Sequence, residues 1–377
     1  MKTILFLTMC AIVGGWLLLI LRRKPSTNLR SIDVIVPAFN EGPCLEQSLR
    51  NLYFNPYVNN VICVNDGSTD NTGELLDRLA RLNPRLIAVH QANTGKGGAL
   101  MNGLRLVTTK TVFFTDADTH VPRNKGLGYL LAEVERGADA AGGIPSSNLK
   151  GAGLLPFVRA TMKFPMIVVK RQFQQLLGGA PFIISGACGL FRTDVLRVVG
   201  MSDRTKVEDL DLTWTLVAQG YKIRQNPRCV VYPQECNSFR EDWLRWRRWI
   251  VGYAVCMRLH RRLLFTRFGL FSILPMFLLV LVGVTAYSAA FLRDVSAGEA
   301  HLFPLTLLPL LWLGIVAVLG TISAIHHNRL RLIPLAPLAF VYVALAYAVW
   351  IVHGLKGLVT GREPLRDKPT RYSNVVA

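Results

Sequence analysis

Residues 113–120 read FFTDADTH: two phenylalanines, a threonine, then two aspartates separated by one alanine. The apolar run Val112–Thr115 reads as a short buried strand, and the carboxylates follow directly at its end. Two readings of that acidic pair compete. Asp is a common turn residue whose side chain hydrogen-bonds nearby backbone, so a solvated turn is one. Hard divalent cations such as Mg²⁺ take oxygen ligands, so a metal site is the other. The surrounding sequence decides what the octapeptide terminates.

Upstream, short β-rich runs alternate with helical patterns. Ile32–Val36, Val61–Val64 and Leu86–Val89 are predicted strands; the stretches 44–52, 73–82 and 99–107 between them are predicted helices. Strands alternating with helices predict βαβ units and an α/β fold with a mostly parallel sheet. In such sheets ligands bind outside the carboxyl ends of the strands. Polar clusters stand at those ends: Pro37-Ala38-Phe39-Asn40-Glu41, Asn65-Asp66-Gly67-Ser68 and Asp116-Ala117-Asp118. Acidic turns repeated along one sheet edge point to a site.

The rest of the chain differs in composition. Of 377 residues, 51% are hydrophobic, and mean hydropathy is +0.32. Apolar runs at Ile4–Leu21, Phe268–Leu292, Leu302–Ile325 and Leu332–Leu355 predict four membrane segments. Arg22-Arg23-Lys24 follows the first run without a small-residue cleavage site, which predicts an uncleaved anchor with residue 22 onward in the cytoplasm. The expected organisation is an anchor at 1–24, a cytoplasmic catalytic domain at 25–238, amphipathic interfacial helices at 239–267, membrane helices at 268–360 and a basic tail at 361–377. This predicts a multi-pass inner-membrane protein. Net charge is +19, favouring membrane lipids and anionic substrates such as nucleotide diphosphates; no nucleic-acid recognition motif accompanies it. The cysteines are odd in number and lack metal-ligand spacing, as expected of free thiols in a reducing compartment.

The ordered series VIVPAFNE, CVNDGSTDNT, NTGKGGALMNGL, FFTDADT, SGACGLFRTDVL, VEDLDLTWTLVAQGYKI and RWRRWIVG, running from about Ile32 to Gly252, resembles membrane-bound family 2 glycosyltransferases. The pattern is similar to bacterial synthases of poly-N-acetylglucosamine, chitin oligosaccharides, hyaluronan and cellulose. The resemblance implies a GT-A fold, a nucleotide-sugar donor, Mg²⁺ or Mn²⁺, and inversion at the anomeric carbon. It implies that Pro37, Asn40, Glu41 and Asp66 bind the nucleotide. Asp118 is the implied metal ligand, and Asp116 lines the nucleotide or the metal's outer shell. Lys96 opens a helical stretch behind glycines, a favourable place for a diphosphate.

Asp209 is the implied general base, with Glu208 beside it; without the resemblance, the pair reads equally as charge complementing a helix N-terminus. Aromatics at 243, 246, 249 and 253 predict an amphipathic helix at a membrane interface. Processive relatives carry Gln-x-x-Arg-Trp there, for acceptor and diphosphate. Arg248 and Trp249 match, but Arg245 stands at the glutamine position, and the exchange is not equivalent because Arg only donates. Three functions follow: extension of a β-linked polysaccharide; transfer of one sugar to a lipid such as polyprenyl phosphate or diacylglycerol; or an inert nucleotide-binding subunit. A small membrane partner or an oligomer is a further expectation.

Overall fold

The computed structural model describes residues 24–275, 289, 293, 296, 303–364, 370 and 371. Its centre is a mixed eight-stranded sheet, in spatial order β3-β2-β1-β4-β7-β6-β8-β5. The strands are β1 (Ile32–Ala38), β2 (Val58–Asp66), β3 (Leu86–Gln91), β4 (Thr111–Phe114), β5 (Thr119–His120), β6 (Ala140–Pro145), β7 (Gly189–Arg192) and β8 (Ile223–Pro233). The first four pair in parallel through β1 and β2. Beyond β4 the sheet changes character: β7 runs antiparallel to both β4 and β6, and β5 antiparallel to β8. The expectation of a mostly parallel sheet therefore holds for the N-terminal half and is corrected for the other. Nothing in the apolar run at β7 encodes direction, because register with a neighbour decides it.

The helices in chain order are α1 (Gly42–Tyr53), α2 (Thr72–Leu82), α3 (Gly95–Leu104), α4 (Gly126–Glu135), α5 (Leu154–Gly178), α6 (Thr193–Val199), α7 (Glu208–Ala218), α8 (Phe239–Leu259), α9 (Phe303–His327) and α10 (Ala336–Thr360). They cover both faces of the sheet, so the central strands β1 and β4 are apolar almost throughout. In β1, Ile32, Val34 and Val36 pack with Leu45 and Leu49 of α1 and Leu127 and Leu130 of α4. Ile35 points the other way, to Leu100 and Leu104 of α3 and to Trp214 of α7. Trp214 is fully buried, and its indole N–H donates to the Phe182 carbonyl at 2.9 Å.

One acid interrupts β1. Asp33 is buried, but it lies at the strand start, away from the polar edge, and accepts from the backbone N–H groups of Thr108, Thr109 and Asn60 at 2.7–3.1 Å. Its charge is satisfied by chain connections, as a buried carboxylate requires.

The C-terminal helices correct the membrane expectation. Among the described residues no helix is long and apolar enough to cross a membrane. This overturns the multi-pass inner-membrane localisation drawn from the apolar runs. The run at 4–21 and most of 268–292 lie outside the described residues. The runs at 302–325 and 332–355 fall on α9 and α10, which pack part of their apolar surface against the α/β domain and leave Val318, Ile325, Val352 and Leu355 exposed. Val316 of α9 and Ala336 and Ala339 of α10 bury against Val158 and Met162 of α5. Polar contacts recur along both helices. Ser323 donates to the Ala160 carbonyl, His326 stacks on Phe164 at 3.5 Å, and Tyr342 donates to Asp242 at 2.6 Å. Helix α8 packs along α10 and keeps Phe239, Trp243 and Leu259 exposed. At Gly357 the two approach so closely that an added Cβ would lie 3.0 Å from Ala254 and 3.1 Å from the Val251 backbone.

Candidate active site

The carboxyl ends of β2 and β4, the start of α3 and the start of α7 converge. Lys96, in the first turn of α3, places its ammonium 2.5 Å from Asp116 Oδ1 and 3.7 Å from Glu208 Oε1. Asp209 is next to Glu208, and Lys96, Gly186, Glu208 and Asp209 line one small cleft. Asp209 Oδ2 accepts from the Gly186 N–H at 3.0 Å. Desolvation in the cleft, and then the charge of Glu208, push the Asp209 carboxyl above the ordinary carboxylate range; Lys96 acts in the opposite direction. A raised pKa makes a carboxylate a stronger base near neutrality.

The β2 edge is built differently. Asp66 is buried and accepts from the backbone N–H groups of Thr94 and Gly95 at 2.8 and 2.9 Å, and from the Gln91 amide at 2.8 Å. It thereby ties the glycine loop and the positive end of α3 to the sheet. Gly67 makes the turn possible: its φ is +72°, and an added Cβ would meet the Asn93 nitrogen at 2.8 Å. Asn40, also at positive φ (51°), accepts from the Thr69 N–H at 2.7 Å, joining the β1 and β2 edges. Pro37 sits in β1 opposite Val64.

Asp118 is buried just past β4 and accepts from the Thr119 hydroxyl at 3.1 Å. Desolvation raises its carboxyl to about 6, partly countered by Arg371. Arg371, far along the chain, was not singled out in the sequence. Its Nη1 lies 2.6 Å from Asp118 Oδ2, while Nε and Nη2 bind the two oxygens of Glu41 at 2.8 and 3.1 Å. A guanidinium fork suits this geometry, but no local pattern in the sequence announces it. Glu363 holds the same end of the chain at the start of α7, accepting from the Thr205 hydroxyl at 2.6 Å and the Lys206 N–H at 2.8 Å.

The aromatic-basic helix α8 divides its residues. Arg248 donates to the Lys206 carbonyl at 2.9 Å, immediately before the Glu208–Asp209 pair. Trp249 packs with Trp246, ring centroids 6.0 Å apart. Arg245 lies over the Trp249 ring, its guanidinium 5.3 Å from the ring centroid, and joins a buried ion cluster, 2.7 Å from Asp242 and 3.0 Å from Glu235. Arg159 and Lys163 of α5 complete that cluster, at 2.6 and 2.5 Å from Glu235. Its members come from α5, α8 and the segment after β8, so sequence spacing did not group them. Six cysteines are described, all buried and free.

A mixed α/β sheet with acids gathered at one strand edge is a GT-A-like architecture. The mannosyltransferase PcManGT from Pyrobaculum calidifontis, solved in complex with GDP-Man and Mn²⁺, shares it with a TM-score of 0.62. That superposition covers 94% of this chain and 97% of that one at 21% identity. Residues 33–200 match glycosyl transferase family 2. The chain is 64% identical over 378 residues to the uncharacterized glycosyltransferase YaiP of Escherichia coli (strain K12), covering 100% of this chain and 95% of that protein. It is 26% identical over 246 residues to poly-beta-1,6-N-acetyl-D-glucosamine synthase of Staphylococcus aureus (strain COL), which spans 63% of this chain and 59% of the synthase. The chain belongs to glycosyltransferase family 2 and is a glycosyltransferase.

Proposed function

We propose that the protein is an inverting transferase that moves N-acetylglucosamine or glucose from a UDP-sugar onto a growing β-linked polysaccharide. The observation that carries this reading is the meeting of Lys96, Asp116, Glu208 and Asp209 at one strand edge. In this reading Asp209 takes the proton from the acceptor hydroxyl as that oxygen attacks the anomeric carbon, and the bond to the nucleoside diphosphate breaks. Lys96 attracts the diphosphate, while Pro37, Asn40, Glu41, Asp66 and Asp116 frame the nucleotide. Arg248 and Trp249 lie on the acceptor side. The poly-N-acetylglucosamine synthase relative favours N-acetylglucosamine.

A divalent cation, Mg²⁺ or Mn²⁺, fits the residues present. Among the described residues no group of three or more His, Cys, Asp or Glu is arranged to hold a metal. Mg²⁺ commonly uses only one or two carboxylates together with substrate phosphates. Asp118 would hold it, with Asp116 in its outer shell. The guanidinium of Arg371 against Asp118 and Glu41 shows that this pocket accepts positive charge. A bound cation would neutralise charge on the departing diphosphate.

Arg245, standing where processive relatives carry glutamine and tied up by Glu235 and Asp242, favours a second reading, addition of a single sugar to one acceptor such as a lipid. Purified protein incubated with UDP-N-acetylglucosamine, UDP-glucose or GDP-mannose and Mn²⁺ tests both. A ladder of products supports the polymer, and one product size supports single addition. Transfer that survives in Asp209→Asn would remove the base assignment.

A further inference from the structure

A cavity of about 230 Å³ lies on the α1 side of β5, apart from the cleft of Lys96 and Asp209. Gln47, Ser48 and Asn51 of α1, His120 of β5, Tyr232 of β8, Lys150, His327 and Arg329 contribute to its wall. Two features distinguish it from an ordinary packing gap.

First, among the described residues the lining includes two cations, Lys150 and Arg329, and no carboxylate. Glu235 lies behind Ser147 and is already paired with Arg159, Lys163 and Arg245. Second, the wall is aromatic. The Tyr232 ring centroid is 6.2 Å from those of both His120 and His327, while Asn51 fixes His120 by a 2.7 Å hydrogen bond. Burial holds the His327 imidazole down at about 4, so at neutral pH it offers a neutral ring.

We propose that this cavity binds one pyranose carrying a compact oxyanion. The sugar ring lies along Tyr232 and its flanking imidazoles, and Lys150 and Arg329 take the oxyanion. A neutral sugar would leave both cations unused. A nucleoside diphosphate sugar is too large for the space. The oxyanion is a carboxylate, as in a uronic acid, or a phosphate ester. This inference stands apart from the donor-site reading, because no residue of the cavity belongs to that cleft.

The full chain, without donor or metal, is titrated with glucuronate, glucose 6-phosphate, glucose and inorganic phosphate, and binding is read by calorimetry and saturation-transfer NMR. At least one charged sugar binds, and glucose and inorganic phosphate bind about tenfold or more weakly, since each lacks one half of the recognition. Preference for glucuronate or for glucose 6-phosphate identifies the oxyanion. Lys150→Gln and Arg329→Gln, both at exposed positions, weaken the charged sugar, while UDP binding is unchanged. The proposal is overturned if neither charged sugar binds, if glucose binds equally well, or if affinity survives in the Lys150→Gln/Arg329→Gln double variant.

Discussion

Arg371 Nη1 lies 2.6 Å from Asp118 Oδ2, and the same guanidinium grips Glu41 through two further hydrogen bonds. A residue near the end of the sequence thus neutralises the carboxylate proposed to bind metal. Two cations cannot share that oxygen without repulsion, so Arg371 and a divalent ion compete. Arg371→Ala is expected to tighten Mn²⁺ binding by about tenfold, corresponding to relief of about 1.4 kcal/mol. Electron paramagnetic resonance of free Mn²⁺, measured without donor, checks this. An unchanged affinity would show that the guanidinium and the ion occupy different places.

Asp209 carries a cost for the fold. Its carboxyl is raised by desolvation and by Glu208, so its charged form is disfavoured relative to the unfolded chain. The sign follows: stability is greatest below the unfolded value and declines as pH rises through the raised one. Asp209→Asn is therefore expected to raise thermal stability at pH 7, by up to about 1 kcal/mol, while lowering turnover by roughly 10²–10⁴-fold. In the wild type the acid limb of the rate profile should lie above the ordinary Asp value of about 3.9. A limb at the ordinary value would argue against Asp209 as the base.

Asp211 behaves oppositely. Burial raises its carboxyl, but hydrogen bonds from His260 at 2.6 Å, Arg204 at 2.8 and 2.9 Å and Ser202 at 3.0 Å outweigh that and hold it at about 2. Its contribution is present above the unfolded value and lost as pH falls from about 4 towards 2. Asp211→Asn should cost about 1–2 kcal/mol at pH 7, chiefly through His260, since Arg204 is half exposed and screened. Urea unfolding at pH 7 and at pH 3 should show the gap between variant and wild type narrowing in acid.

The cluster around Glu235 is structural by geometry. Arg159 and Lys163 hold its carboxyl low against desolvation, and its side chain is fully buried. Glu235→Gln leaves buried cations under-compensated and should destabilise the fold by about 3 kcal/mol. Arg245→Met should be much milder, because Arg159 and Lys163 still neutralise Glu235. If the two variants lose equal stability by denaturant unfolding, Arg245 is as essential to the cluster as the acid it binds.

Much of the catalytic half was legible in the residue order. Apolar strands ending in Asn40-Glu41, Asp66 and Asp116-Asp118 predicted both the parallel half of the sheet and the edge where the acids gather. That follows because a strand buried on both faces must be apolar along its length, while its end meets solvent. The apolar runs at 302–325 and 332–355 were less informative. Hydropathy registers apolar surface without its partner, and here α5 and α8 cover part of it while Val318, Ile325, Val352 and Leu355 stay exposed. Arg245 stays beside Trp249, as its motif has it, and also pairs with Glu235 and Asp242, two buried carboxylates that spacing could not reveal.

By itself, the sequence determined the βαβ order, the acidic strand ends and the family, because these depend on local periodicity and on residues close together in the chain. Tertiary structure decided the antiparallel insertion of β7, the packing of α9 and α10 on the domain, and the partners of the acids. FFTDADTH could place Asp118 at the end of a strand. Only folding could bring Arg371 against it, since an ion pair depends on distance in space and is blind to separation along the chain.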